Sequence, residues 1–588
     1  MTRETTRSVM PTRAEMCARL DGVDEIPVLI VGGGINGVGV FRDLSLQGVR
    51  CLIVDREDWG AGASSASSRM AHGGLRYLEN GEFRLVSEAT LERNRLLRNA
   101  AHGVVPLVVT VPFFSMVAGL WPTLAKTLGL RSSVRERGLV LVAAGLRIYD
   151  WLGRRNKVMP NHELGLRASA VRRFPALHPA VRGYASYYDA KIFYPERIAA
   201  ELVADALAVE PAAIALNHCA LAGRDGATVL LRDEIGGRVW RVRPTVVVNA
   251  GGAWIDSVNR NLAETPALIG GTKGSHLVLH NPELSAALAG SAFLWDDGAG
   301  RMCIVYPQLD KVILGSTDIR IADADLAICD AAELNYLLAA IRVIFPMVAV
   351  DAGQVCYRFC GVRPLPRSDS EATVDISRDH SDVRLPAQGD RPFPVHSLVG
   401  GKWTTFRAFA AQVTDAVLAE LSMSRRFGTE DLAIGGGLGF PRDASGRAAW
   451  LREASDGLRI GAARMETLFG RYGTRARLVG EYCTEGVDRP LRSFADYTER
   501  EIGWLVEREM AVELEDIVYR RSTLALMGQI TEPLLLELAD LLADLLGWTE
   551  DGKRARLQRL RARLAEHNGV VLAPLPREGA LETAGGHP

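Results

Sequence analysis

The 588-residue chain is predicted to be an α/β protein with a parallel-sheet core, an inserted mixed sheet and a helical C-terminal domain; three observations predict it. The apolar run Pro27–Val31 stops at Gly32-Gly33-Gly34 and gives way to a helical pattern, as a buried parallel strand entering a turn does. A second run, Cys51–Val54, ends in Asp55 and completes a βαβ unit. Similar runs recur at Thr245–Val248, which enters Asn249-Ala-Gly-Gly252, and at Val395–Val399, which enters Gly400-Gly401. Ligands of open α/β sheets lie beyond the carboxyl ends of strands, where glycine lets backbone come close.

The remaining elements follow in order. Residues 1–24 are polar, carry both charge signs and read as a flexible leader. Segments 25–105, 186–270 and 356–425 are assigned to a discontinuous Rossmann-like core. Segments 106–185 and 271–355 form an inserted substrate domain, the second with strand-like alternation at His276–His280 and Cys303–Leu314. From 430 to 572 apolar residues recur at three and four, as in Glu499–Val512 and Leu534–Leu546, which predicts a helical domain. Residues 573–588, with few large apolar groups, are expected to be disordered.

Composition narrows the function. With 69 Lys plus Arg against 70 Asp plus Glu there is no global positive field, so no nucleic-acid partner is expected and any anion site must be local. The eight cysteines include no Cys-x-x-Cys pair and no His at zinc-ligand spacing, so no metal is expected and a reducing compartment fits. No uninterrupted apolar run of about 18 residues is present to span a bilayer.

The turn Gly32-x-Gly34-x-x-Gly37 follows a strand, opens a helix and precedes Asp55. Gly32 permits the tight turn, Gly34 admits a pyrophosphate to the helix N-terminus, Gly37 allows close packing, and Asp55 can accept from ribose hydroxyls. Together these parts predict dinucleotide binding. Downstream, Ser64-Ser-Ala-Ser-Ser68 reads as a loop leading to His72-Gly-Gly-Leu-Arg76-Tyr-Leu-Glu79.

These motifs, with Asn249-Ala-Gly-Gly-Ala-Trp254, Lys273-Gly-Ser-His276, Gly315-Ser-Thr-Asp318, Gly361-Val-Arg-Pro-Leu365, Ser377-Arg-Asp379 and Gly400-Gly-Lys-Trp-Thr-Thr405, closely resemble the FAD-dependent glycerol-3-phosphate dehydrogenase family. The resemblance implies FAD held by Gly32, Gly34, Gly37, Asp55, Ser64, Ser65, Ser68 and Thr405. It implies a small phosphorylated substrate met by Arg76, Arg363, Arg378 and Lys402, and a quinone as electron acceptor, with oxygen as the alternative in related oxidases. Arginine forks suit a phosphomonoester, which carries about −1.5 to −2 charges and three acceptor oxygens. His72 could serve as general base, since an unperturbed imidazole titrates near pH ~6.5; Lys402 competes for that role. The implied reaction is oxidation of sn-glycerol 3-phosphate to dihydroxyacetone phosphate, with an oxidase or dehydrogenase for another hydroxy or amino compound as the alternative.

Two departures bear on the substrate. Phe193-Tyr-Pro-Glu-Arg197 replaces the family's acidic pair before an arginine, and Arg367 is expected as an extra cation near the phosphate. The segment Val111–Leu130 combines Phe113, Phe114, Met116, Leu120 and Trp121 with the following Arg131, Arg135 and Arg137. Such a stretch suits either a packed core or a peripheral position on the inner face of the cell membrane. A homodimer is left open.

Overall fold

In the computed structural model the strand Glu25–Val31 is buried from Val28 onward and lies at the centre of a parallel sheet. The structure describes residues 9–75, 82–116, 118, 138–154, 157–264, 266–297, 301–368, 376 and 379–572. Five parallel strands run in the order Val395–Val399, Val239–Asn249, Glu25–Val31, Cys51–Val54 and Ile214–Leu216, with Ser381–Leu385 antiparallel at one edge. Val31 pairs with both Asn249 and Val54, and Asn249 with Ser397, so the strands end level and their turns share one edge. Helix Ile35–Leu46 is buried along almost its whole length; a Cβ on Gly39 would lie 3.1 Å from the Phe406 ring, so glycine sets the spacing to helix Phe406–Glu420.

A second, ten-stranded mixed sheet stands beside the first. It includes Thr272–Leu279, Lys311–Gly315, Met302–Gln308, Ala292–Asp296, Val104–Phe113 and Gly183–Ile192, with Val355–Arg363 on the outer side of Thr272–Leu279. Its alternation is physical. Leu277, Leu279, Cys303, Val305, Val312 and Leu314 pack one face against helices Pro282–Leu288 and Ala331–Ala340. Val278, Ile304, Tyr306 and Ile313 face the C-terminal helices on the other side, as a period of two requires. Gly183–Ile192 and Val355–Arg363 belong to this second sheet, although residues from 186 and from 356 were assigned to the parallel core.

Helical periodicity after 430 becomes helices Ala444–Leu458, Ala462–Tyr472, Ala476–Thr484, Glu499–Glu509, Glu532–Leu546 and Glu550–Asn568. Thr498, Thr531 and Thr549 each cap a helix by accepting a backbone N–H. The leader expectation needs correction: Arg13–Asp21 is a helix with a Thr12/Glu15 capping box, Met16 and Leu20 are buried, and Arg13 pairs with Asp233 at 2.7 Å. Residues 1–8 and the tail 573–588 lie outside the described residues.

Candidate active site

The glycine turn is dictated by space. Gly32 adopts φ +112°, and a Cβ there would lie 2.5 Å from the Ala250 carbonyl oxygen; on Gly37 it would lie 1.9 Å from the Gly32 oxygen. A Cβ on Gly34 would meet only Ser64 Oγ, at 3.2 Å, so this residue looks into a cleft of about 1890 Å3. The helix that starts here has no acidic residue in its first turn, which leaves its positive end for an anion. Ser64 Oγ accepts the Ile35 N–H at 2.9 Å. Asp55 accepts from the Gly33 N–H at 2.6 Å and the Glu57 N–H at 2.7 Å. Burial outweighs these bonds and pushes its carboxyl up to about 6.

The serine loop is anchored from four sides. The Trp403 indole N–H donates to the Ser64 carbonyl at 2.8 Å, and the Tyr306 hydroxyl to the Ser68 carbonyl at 2.9 Å. Arg520 donates to Ser65 Oγ at 3.2 Å, and Ser68 Oγ lies 2.8 Å from His276 Nε2. The late glycine segment is fastened to the His72 loop through Thr404. Thr404 Oγ1 accepts the His72 N–H at 3.0 Å, and its hydroxyl donates to the His72 carbonyl at 3.2 Å. Below His72, Asp189 Oδ1 accepts from Gly73 N–H, Arg93 and the Tyr149 hydroxyl at 2.7–2.9 Å, a buried charged knot that fixes the loop.

The opposite wall comes from the second sheet. Arg363 donates to Asp318 at 3.1 Å, to Ser316 Oγ at 3.2 Å and to the Thr317 carbonyl at 3.1 Å. A Cβ on Gly274 would stand 2.2 Å from its guanidinium, so glycine makes the room it occupies. His276 stacks on Phe359 with ring centroids 4.8 Å apart, and burial, then Arg363 and Arg69, hold it neutral with a pKa of about 3. Gly32, Gly34, Asp55, Ser64, Ser68, His72, Arg363 and Lys402 all line the one cleft.

Residues 27–385 match the family described as FAD dependent oxidoreductase, and residues 427–553 the C-terminal domain of alpha-glycerophosphate oxidase. A glycerol-3-phosphate dehydrogenase of Synechocystis is 30% identical over 90% of this chain and 95% of its own length. A D-erythritol 1-phosphate dehydrogenase of Brucella abortus is 29% identical over 84% and 93%. The chain belongs to the FAD-dependent glycerol-3-phosphate dehydrogenase family. The FAD-complexed glycerol-3-phosphate dehydrogenase of Bacillus halodurans shares the fold, with a TM-score of 0.72 and 21% identity over 97% of this chain and 99% of that one. FAD is the cofactor, and the glycine cradle, acid-free helix start and long cleft fit a dinucleotide.

Within this family member several expected residues stand elsewhere. Thr405 is buried at the head of helix Phe406–Glu420 and does not line the cleft; Thr404 does. Ser65 turns away to donate to the Gly62 carbonyl at 3.2 Å, and Gly37 serves packing. Arg367 is exposed and off the cleft. The Phe193–Arg197 departure is structural: Glu196 forms a buried pair with Arg69 at 2.5 Å, and Arg197 with Glu509 at 2.9 Å. Arg76 and Arg378 lie outside the described residues, as do Leu120, Trp121 and Arg131 to Arg137; Phe113 is buried at a strand end. Asp318, Thr404, Asp189, Arg93 and Tyr149 were not singled out as site residues. Only the motifs Gly315-Ser-Thr-Asp318 and Gly400 to Thr405 pointed to two of them.

Proposed function

We propose that the protein oxidises sn-glycerol 3-phosphate to dihydroxyacetone phosphate. The observation that carries this reading is the meeting of Arg363, His72 and Lys402 on the cleft that the glycine turn opens. Gly32, Gly34, Asp55, Ser64 and Ser68 would hold FAD, which when bound accepts the hydride from substrate C2. Arg363, its fork fixed by Asp318, Ser316 and Thr317, binds the phosphate, with Arg76 and Arg378 as further cations. His72 Nδ1 or Nε2 takes the C2 hydroxyl proton, and Lys402 holds the hydroxyl end of the substrate. Arg363 comes from the second sheet, and Gly32, Gly34, Asp55 and Lys402 from the turns that follow the parallel strands.

Electrons pass to a quinone, which places the protein on the inner face of the cell membrane. Support comes from Val140 and Trp151, exposed on helix Leu139–Leu152 beside Arg147 and Arg154, the latter 4.9 Å from the Trp151 ring centroid. No helix among the described residues is long and apolar enough to cross a membrane.

The relative named for D-erythritol 1-phosphate favours a second reading, a longer polyol phosphate. Mixing FAD-loaded protein anaerobically with glycerol 3-phosphate, erythritol 1-phosphate or an amino acid decides between them. Rapid bleaching of the visible flavin band by glycerol 3-phosphate alone is expected. Bleaching only by another compound refutes the substrate, and reoxidation faster by oxygen than by a soluble quinone refutes the acceptor.

A further inference from the structure

The C-terminal domain meets the cofactor side of the molecule at the 57–68 loop. Asp516–Arg521 is a π-helical turn, with the Ser522 N–H donating to the Ile517 carbonyl at 3.0 Å. Such turns are rare and gather at functional sites. Here two successive arginines grip the same loop, residues 57–68, which lines the cleft. Arg521, its side chain fully buried, makes a two-pronged pair with Asp58 and also donates to the Glu509 carbonyl at 2.9 Å. Arg520 donates to Ser65 Oγ at 3.2 Å and lies 3.5 Å from the Glu57 carboxylate. Arg563 approaches Glu57 from the last helix at 3.3 Å. Burial opposes the charge on Glu57, yet Arg563 and Arg520 hold its carboxyl down to about 2, so Glu57 is ionised at any ordinary pH.

The oxidation chemistry uses none of these groups. Of the residues they hold, Glu57 lines the cleft, Asp58 follows it in the chain, and Ser65 stands between the cleft-lining Ser64 and Ala66. We infer that Arg520 is a positioning residue through which the helical domain keeps the 57–68 loop closed on FAD and so sets the lifetime of the bound cofactor. The inference rests on the reading above that this loop lies against FAD. Arg521 secures the base of the loop, and Arg520 bridges its two limbs from outside the cleft.

The test uses full-length, FAD-loaded Arg520→Met and Arg520→Lys. FAD release is followed by the rise in flavin fluorescence on dilution, and the melting temperature of FAD-free protein is measured in parallel. Release about 10- to 100-fold faster is expected for Arg520→Met, the scale of one lost charge-assisted hydrogen bond. Arg520→Lys, which keeps the charge beside Glu57 but not the fork, should fall between, with FAD-free melting unchanged in both. Ser65→Ala should speed release and add nothing to Arg520→Met. Wild-type release in Arg520→Met, or a loss of FAD-free stability that accounts for the faster release, overturns the proposal; if that variant does not fold, wild-type release in Ser65→Ala does so. Gly34→Val separates the two levels. Flavin retained in Gly34→Val refutes the placement of the cofactor itself, whereas flavin lost there with wild-type release in Arg520→Met refutes the clamp alone.

Discussion

Neutralising His218 should weaken the fold in a pH-dependent way. His218 Nε2 stands 3.0 and 3.1 Å from the two oxygens of Asp516, joining the strand that leaves the parallel sheet to the helical domain. Burial opposes its protonation, but Asp516, followed by Asp58, raises its pKa from an ordinary 6.5 to about 9. Because the folded pKa lies above the unfolded one, the stabilisation is fully present below pH ~6.5 and is lost as pH rises through about 9. A gap of that size corresponds to about 3 kcal/mol at 1.36 kcal/mol per pKa unit. Urea unfolding of wild type and His218→Gln at about pH 6, 7.5 and 10 gives the comparison. The variant should be less stable by about 3 kcal/mol at the lowest pH, and the two curves should converge at the highest. A difference that stays constant across the range would refute the charged pair and leave His218 as a packing residue.

Arg363→Met should raise the substrate Michaelis constant roughly 30-fold to several thousand-fold, the range for truncating one partner of a buried charge pair. The flavin spectrum should not change; loss of activity only together with loss of flavin would make the arginine structural. Gly34→Val should yield colourless protein, since its side chain would stand where the cleft meets the helix N-terminus; full flavin occupancy would contradict that. FAD affinity of the apoprotein should fall as pH drops through about 6, where Asp55 gains a proton and loses acceptor capacity; a flat titration, or the same fall in Asp55→Asn, would show that another group is responsible. Trp151→Glu should reduce sedimentation with anionic liposomes at low salt, and equal pelleting by variant and wild type would exclude that helix as the membrane face.

Periodicity and glycine chemistry made the parallel core readable. Cys51–Val54 and Val395–Val399 are strands over the very residues predicted, because a strand buried on both faces writes itself as an unbroken apolar run. Cleft-lining residues were readable where one motif supplies both a turn and a residue on the cleft, as at Gly32 to Gly37 or Gly361 to Leu365. It was not readable where partners are remote. Arg521 and Asp58 are 463 residues apart, and nothing local marks either as the other's counter-ion. The Arg13–Asp21 helix was lost to its polar composition, although Thr12-x-x-Glu15 carried a capping signal. Thr405 and Thr404 look equivalent in sequence; only the entry into helix Phe406–Glu420 decides which of the two lines the cleft.

The cleft walls are drawn from residues near 32–34, 54–72, 250–254, 274–276, 316–318, 361–365 and 400–404, with the chain passing back and forth between the two sheets. No contiguous fragment holds a complete wall. A chain still being synthesised cannot assemble the cofactor site until Gly400 to Thr404 have emerged and settled beside Asn36 and His72, to which they hydrogen-bond. On the proposed placement of FAD, the cofactor site is completed only when the turns after the first and the last parallel strand have met, with strand Val239–Asn249 lying between those two strands.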